Sequence, residues 1–458
     1  MLPTISTGNV ASALAGEYEV ANSVRLNKSD TPYLNRTNGT ATNNDKYTLS
    51  LWTKRGLVSS AFEFLIEGWT GNADTTCGIL RFRSDDRLDF MGYNTVYRRT
   101  TRVFRDISAW YNIIVAVDTT QSTASNRIKM YINGVEETEF DTNNNPSQNA
   151  NTGINNNSAN LNLFRRYLGS VNDLHYGGYC TEYCLIDGQQ LDQTSFGEFD
   201  TDSPNIWKPI DVTGLTFGSN GFYLDFENAS SLGADVSGNS NNFTVNNLTS
   251  VDQTTDTCTN NFATLNPLEA EENSPTFSDG NLTQTTPNSG ASGGRSTIEI
   301  PHTGVWYWEV KIVSTTGTIG DNLRLGISND SPSSNSGQLI KYMSDGQSQI
   351  PGSSSSYGAS YAAGDIIGIK VDADSNQVTF YKNGATQGAI SYTMVAGETY
   401  KAVVGEFSNT IGCVYSMNFG NAPFSISSGN SDPNGHGNFE YSTDSGYALN
   451  TKNLSEFG

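Results

Sequence analysis

From Val24 onward, short apolar runs alternate with clusters of Gly, Asn, Asp and Ser. Tyr47-Thr-Leu-Ser-Leu-Trp52 alternates with a period of two, and Trp306-Tyr-Trp-Glu-Val-Lys-Ile312 is similar, so both read as strands. Strands recur at roughly 8–12-residue spacing, the pattern of a sandwich or barrel. One motif occurs twice. Asn112-Ile-Ile-Val-Ala-Val-Asp118 precedes a polar turn and Ile128-Lys-Met-Tyr-Ile-Asn-Gly134. Far downstream, Asp365-Ile-Ile-Gly-Ile-Lys-Val-Asp372 precedes a polar turn and Val378-Thr-Phe-Tyr-Lys-Asn-Gly384. Asn-Gly suits a type I′ turn, whose two central residues need positive φ, so each copy predicts two consecutive hairpins. Hairpins cannot bury an apolar face alone; one copy per half therefore implies two separate β-sandwiches.

Composition narrows the alternatives. Of 458 residues, 36% are hydrophobic and only 16% charged, and about one in nine is Asn. The scarcity of helix formers excludes a coiled coil or helical bundle. With 22 Tyr, 21 Phe and 6 Trp there is ample apolar area for a core, which argues against disorder. The net charge is −21, divided as −5 over residues 1–210 and −16 over 211–458. A nucleic-acid binder needs Lys and Arg to displace counterions, so nucleic acid is a poor partner. The five cysteines (Cys77, Cys180, Cys184, Cys258 and Cys413) match no zinc spacing. Cys180 and Cys184 on a regular strand share one face about 13 Å apart, too far to bridge. All five are expected to be reduced, which suggests folding in a cytosol. No signal peptide and no membrane span are expected.

At this point the residues support a resemblance. Tyr47–Lys54, Trp110–Asp118, Met130–Val135, Tyr167-Leu-Gly169 and Leu185-Ile-Asp-Gly-Gln-Gln-Leu191 resemble a laminin-G-type, concanavalin-A-like domain over about residues 22–205. Trp306-Tyr-Trp-Glu-Val310, Leu325-Gly-Ile-Ser328, Tyr357-Gly-Ala, Gly364–Gly368, Phe380-Tyr-Lys-Asn-Gly384, Met417-Asn-Phe-Gly420 and Pro423-Phe424 resemble a SPRY domain over about 265–425. The implied fold is all-β: two antiparallel jelly-roll β-sandwiches, concanavalin-A-like, in tandem behind a short N-terminal arm. The expected boundaries are 1–21 for the arm, 22–210 for the first sandwich, 211–264 for a connecting β segment, 265–430 for the SPRY-like sandwich and 431–458 for a C-terminal tail. Met1–Val20, Phe262-Ala-Thr-Leu-Asn-Pro267 and Tyr447–Leu454 resemble pieces of virion proteins from tailed, particularly marine, phages. That resemblance implies a virion surface or tail-fibre protein assembled in a bacterial cytoplasm. Its arm would join other virion proteins, and the chain would form a homo-oligomer, as a trimer.

Candidate chemistry is sparse. His175, His302 and His436 lack metal-ligand spacing and read as structural or loop residues. Glu137-Thr-Glu139-Phe-Asp141 is the best acid pattern for a glycan depolymerase, but Thr138 stands where an aliphatic residue is expected, and a solvated strand face is the simpler reading. Asp235 and Asn239 in a laminin-G-like loop are weak calcium candidates, and Asp372-Ala-Asp374-Ser-Asn376 has similar residue types; both are also common turn chemistry. No other cofactor is expected. Binding is the stronger class. A glycan site needs an exposed aromatic for stacking and amides or carboxylates for hydroxyls. Trp69, Tyr93, Tyr97, Tyr176 and Tyr179 are the candidates in the first half, and Tyr342 and Tyr357, in or next to loop 329–357, those in the second. Arg98, Arg99 and Arg102, with Arg165 and Arg166, suit an acidic neighbour or an anionic glycan, or simply a solvated edge strand. The expected function is non-catalytic recognition of host-surface glycans or of neighbouring subunits. The alternatives are structural decoration and depolymerisation.

Overall fold

The computed structural model describes residues 18–58, 61–169, 171–270, 273, 275–288, 290–317, 319–329, 339–407 and 410–458. The described chain divides into two compact units, 18–259 and 260–458. Each is a two-sheet antiparallel sandwich, so the expected all-β architecture is found. Most of the expected arm lies outside the described residues; its last part, from Tyr18, packs on the first unit through Val20.

In the first unit, one sheet runs in the order Val135–Glu136, Ile128–Ile132, Trp110–Asp118, Lys46–Arg55, Gly178–Asp187, Ser23–Leu26, Gln253–Thr254, with Phe222–Leu224 also on Gly178–Asp187. The facing sheet runs Phe140–Asn143, Val96–Val103, Arg87–Met91, Cys77–Phe82, Glu63–Trp69, Asn160–Leu163, Tyr33–Thr37, Thr244–Asn246. Leu49, Leu51, Ile113, Val115 and Val117 meet Leu80, Phe82, Phe90 and Leu161 between them. The run Ile113–Val117 is apolar at every position because its other face is buried too. Ile114 and Ala116 pack under Phe196, Val212 and Phe217, from the irregular segment that follows the sheet's central strand. A strand buried on both faces loses its period-2 pattern.

A β-bulge corrects one expectation. Pairing of Gly178–Asp187 with Lys46–Arg55 slips between Thr181 and Cys184, and Glu182 takes φ 49°. The extra residue reverses the alternation. Cys180 therefore lies in the inter-sheet core and Cys184 in the outer layer, not on one face. All five cysteines are free and buried.

In the second unit, Trp306, Trp308, Leu325, Ile327, Ile369, Phe380, Val404 and Met417 fill the space between two sheets. Both repeated hairpins form in their respective units. Asn133 and Gly134 take φ 48° and 75°, and Asn383 and Gly384 take 49° and 80°. In each, the Asn side chain also accepts from the neighbouring strand: Asn133 Oδ1 from Asn112 N at 2.7 Å, Asn383 Oδ1 from Ile366 N at 2.9 Å.

The two expected accessory segments are integral to the sandwiches. Residues 211–259 add three strands to the first unit, so they do not act as a connector; Ala263 already donates to Leu449 O in the second. The expected tail, 431–458, supplies Tyr447–Ala448, which pairs parallel with Val305–Thr315, and the helix Thr451–Phe457 capped by Asn450. Phe439 and Ala448 cover the outer face of the sheet at Tyr307 and Tyr381. Among the described residues no helix is long and apolar enough to cross a membrane.

Candidate functional site

The strand Glu63–Trp69 ends at a loop that turns back into Cys77–Phe82, with Thr70 N donating to Thr76 O at 2.8 Å. Asp74 in this loop clasps the next one. Its carboxylate accepts from Asn94 N at 2.5 Å, Thr95 N at 3.1 Å and Thr95 Oγ1 at 2.7 Å. Burial opposes its ionisation, but these donors outweigh burial and hold the carboxyl below its usual range. The clasp places Tyr93 beside Trp69, ring centres 6.1 Å apart and tilted by 56°. Both rings are half-buried, while Asn72 and Asn94 are exposed beside them.

A third loop, 164–177, completes the rim. Glu67 accepts from Tyr167 N at 2.9 Å and Leu168 N at 2.7 Å, and Arg166 pairs with Asp173. Gly169 follows at φ 79°, where a Cβ would stand 2.9 Å from Trp69 Nε1. Only glycine lets the loop lie this close to the indole. Trp69, Tyr93 and Leu168 thus form a partly exposed apolar patch edged by amides. A tilted aromatic pair with amides at its border is suited to stacking on a sugar face and bonding its hydroxyls.

The other aromatics expected at a binding surface are mostly core. Tyr97 packs against Phe90. Tyr176 is fully buried, with its hydroxyl on Thr53 Oγ1 at 2.7 Å and Lys54 O at 3.1 Å. Tyr179 is buried under the Lys54 ammonium and against Trp110. Tyr342 is buried between Tyr361 and Phe380. These four offer no face to a ligand, because each carries an aromatic area that the sheets bury. Tyr357 remains half-exposed, with its ring against Tyr342 and Phe380 and its hydroxyl on Gly388 O. Residues 330–338 of its expected loop lie outside the described residues.

The cation and acid candidates are also reassigned. Asp235 accepts from Tyr223 N, Ser237 N and Asn241 N at 2.9, 2.9 and 2.7 Å, and Asn239 donates to Gly218 O and Gly221 O. These donors engage the Asp235 carboxylate as in an Asx turn. Among the described residues no group of three or more His, Cys, Asp or Glu could hold a metal ion. Glu137 pairs with Arg102, and Asp141 with Arg87 and Arg99, so the alternating acids are not a free carboxylate pair. Arg98 is buried on backbone carbonyls and Arg165 lies 3.5 Å over the Tyr33 ring, so neither guanidinium is free for an anion.

Sequence reasoning missed several buried ionic groups. Lys54 and Asp256 pair at 2.8 Å, with Trp110 Nε1 3.2 Å from the second oxygen. Arg55 holds Glu63 and Asp86, each at 3.0 Å. Glu182 and Glu309 are buried and form no salt bridge among the described residues. The available signal was a charge inside an otherwise apolar strand, as in Tyr179–Ile186.

A family model for the SPRY domain matches residues 305–422, and one for the concanavalin A-like lectin/glucanases superfamily matches residues 28–176. No curated protein sequence matches the chain. Among solved structures, the SPRY domain of human HERC1 is 18% identical, with 33% of this chain and 96% of that chain covered and a TM-score of 0.29. A candidate carbohydrate-binding protein from Bacteroides ovatus is 15% identical, with 50% of this chain and 59% of that chain covered and a TM-score of 0.35. The chain carries a laminin-G-like, concanavalin A-like domain followed by a SPRY domain, both β-sandwiches.

Proposed function

We propose that the protein is a non-catalytic recognition subunit of a phage virion surface or tail fibre, and that it contacts host-surface glycans through the Trp69–Tyr93 patch. The observation that carries this reading is the partly exposed aromatic pair, clasped by Asp74 and bordered by Asn72 and Asn94, at the loop end of a lectin-type sandwich. The virion setting rests on the resemblance of the chain's opening and closing stretches to phage proteins. Single glycan contacts are weak, so several copies, as in a trimer, would supply avidity.

Glycan-array binding by the full chain, displayed as a multimer, tests this. Trp69→Ala and Tyr93→Ala should each lower the signal by roughly tenfold, about what one lost stacking contact is worth. Retention of binding in the double variant removes the site, and silence of the wild-type multimer removes glycan recognition. A second reading, structural decoration without glycan binding, is favoured by the burial of Tyr97, Tyr176, Tyr179 and Tyr342. It expects virions lacking the protein to adsorb normally, whereas adhesion expects adsorption to fall.

A further inference from the structure

In the second unit, the turn after strand Ser292–Ile300 faces the loop that enters strand Tyr400–Glu406. The end of helix Thr451–Phe457 closes the third side, and the three enclose a cleft of about 530 Å³. Thr303 Oγ1 donates to Phe457 O at 3.1 Å, which ties the helix end to the turn, so the cleft is pre-formed. Its wall is apolar, built from Ile298, Ile300, Pro301 and Leu454, and its rim carries Glu299, Glu398 and His302.

The rim chemistry is one-sided. Among the described residues neither glutamate has an ion pair. Lys401, which lies opposite Glu299 in the ladder, is engaged by both carboxylate oxygens of Glu269 at 2.6 and 2.8 Å. Glu398 accepts one amide, from Asn329 at 2.9 Å. The His302 ring stands edge-on to Tyr400, centres 5.8 Å apart, with Nε2 2.8 Å from the Glu398 carbonyl oxygen. The tautomer in which Nε2 donates there leaves Nδ1 as the ring's acceptor. The rim groups are thus acceptors above an apolar wall, in the part of the chain that carries −16 of the net charge. A surrounding negative field concentrates cations at such a cleft.

We propose that this cleft takes a lysine side chain of a partner protein. The alkyl stem lies along Ile300, Pro301 and Leu454, and the ammonium is held between Glu299, Glu398 and His302 Nδ1. A lysine stem buries methylenes while its head keeps polar partners, which is the division this wall and rim provide. The site is independent of the Trp69–Tyr93 patch.

The test uses the full chain and three probes: n-hexylammonium, neutral 1-hexanol of the same shape, and N-acetyl-lysine methylamide. The readout is the ring carbon–proton resonances of the three histidines, with His302 assigned by His302→Gln and the pH held constant throughout. The expected result is a saturable shift of His302 alone with both ammonium probes and none with 1-hexanol. The affinity should fall at least about fivefold in Glu299→Gln/Glu398→Gln, as expected for loss of charge-assisted bonds. Both positions are exposed, so the variant folds. No shift up to about 50 mM ammonium (too weak to matter at an interface), an equal shift with hexanol, or unchanged affinity in the variant overturns the site. Tighter binding of glucosamine than of the lysine amide overturns the assignment to a protein partner.

Discussion

Each sandwich fastens an outlying segment with a buried glutamate that meets no cation among the described residues, and the two do it differently. In the second unit Glu309 Oε2 accepts from Glu440 N at 3.0 Å and Asn418 Nδ2 at 2.9 Å, and Oε1 from Tyr441 N at 2.8 Å and the Tyr307 hydroxyl at 3.3 Å. In the first, Glu182 Oε2 accepts only two phenols, from Tyr18 at 2.9 Å and Tyr223 at 2.8 Å, in a left-handed bulge. Burial, with Asp225 and Glu227 nearby, pushes the Glu182 carboxyl up to about 7 against those two donors. Burial also raises Glu309, against two backbone amides that cannot turn away. A carboxylate held by main-chain donors acts as a fixed rivet, whereas one held by side-chain hydroxyls depends on donors that can rotate away.

The largest effect should come from breaking the rivet. Glu309→Ala leaves Glu440 N and Tyr441 N without their acceptor and takes one of two acceptors from the Asn418 amide, which keeps Asn438 O. At about 1–3 kcal/mol per stranded group it should cost roughly 3–5 kcal/mol in denaturant unfolding of the second unit. A loss under about 1 kcal/mol would show that the 439–441 segment is not fastened there.

The next effect is a pH slope. Native Glu182 keeps its proton up to about 7, while the unfolded chain releases it near 4.5. Its contribution is therefore fully present below about 4.5 and lost as pH rises through about 7, some 3 kcal/mol over that range. Subtracting the unfolding free energies of Glu182→Gln from those of wild type, pH by pH, should recover this slope. A flat difference would show that the folded and unfolded chains protonate Glu182 alike.

The smallest effect sharpens the same contrast. Tyr18→Phe removes one of the two donors to Glu182 and should cost about 1 kcal/mol. Hydrogen exchange at Val20 N, which donates to Thr259 Oγ1, should quicken in this variant and remain unchanged in Glu309→Ala.

The sandwiches were legible because their signals are local. Asn133-Gly134 and Asn383-Gly384 demand positive φ, and period-2 runs such as Tyr47–Trp52 need only their own residues. The covering layers were not. Phe196, Val212 and Phe217 sit in irregular backbone and reach the sheet as isolated apolar residues, so no period marks them. The Glu182 bulge defeated the alternation rule for Cys180 and Cys184, because one inserted residue exchanges the faces of every residue after it. The glycan patch was legible in part. Trp69 ends a strand and Tyr93 stands in a loop, each followed closely by exposed Asn, but Tyr97 lies inside the strand Val96–Val103, and Tyr176 just ahead of a strand is covered by the core.

The sealed outer faces bear on where the first unit can be cut. The match to the lectin superfamily stops at residue 176, two residues before Gly178–Asp187, which pairs with both Lys46–Arg55 and Ser23–Leu26. A fragment trimmed to that match would lack the middle of one sheet and the layer over it, exposing Ile113–Val117 as a bare hydrophobic strand open to aggregation. The compact unit extends to Thr259, well beyond the matched residues 28–176.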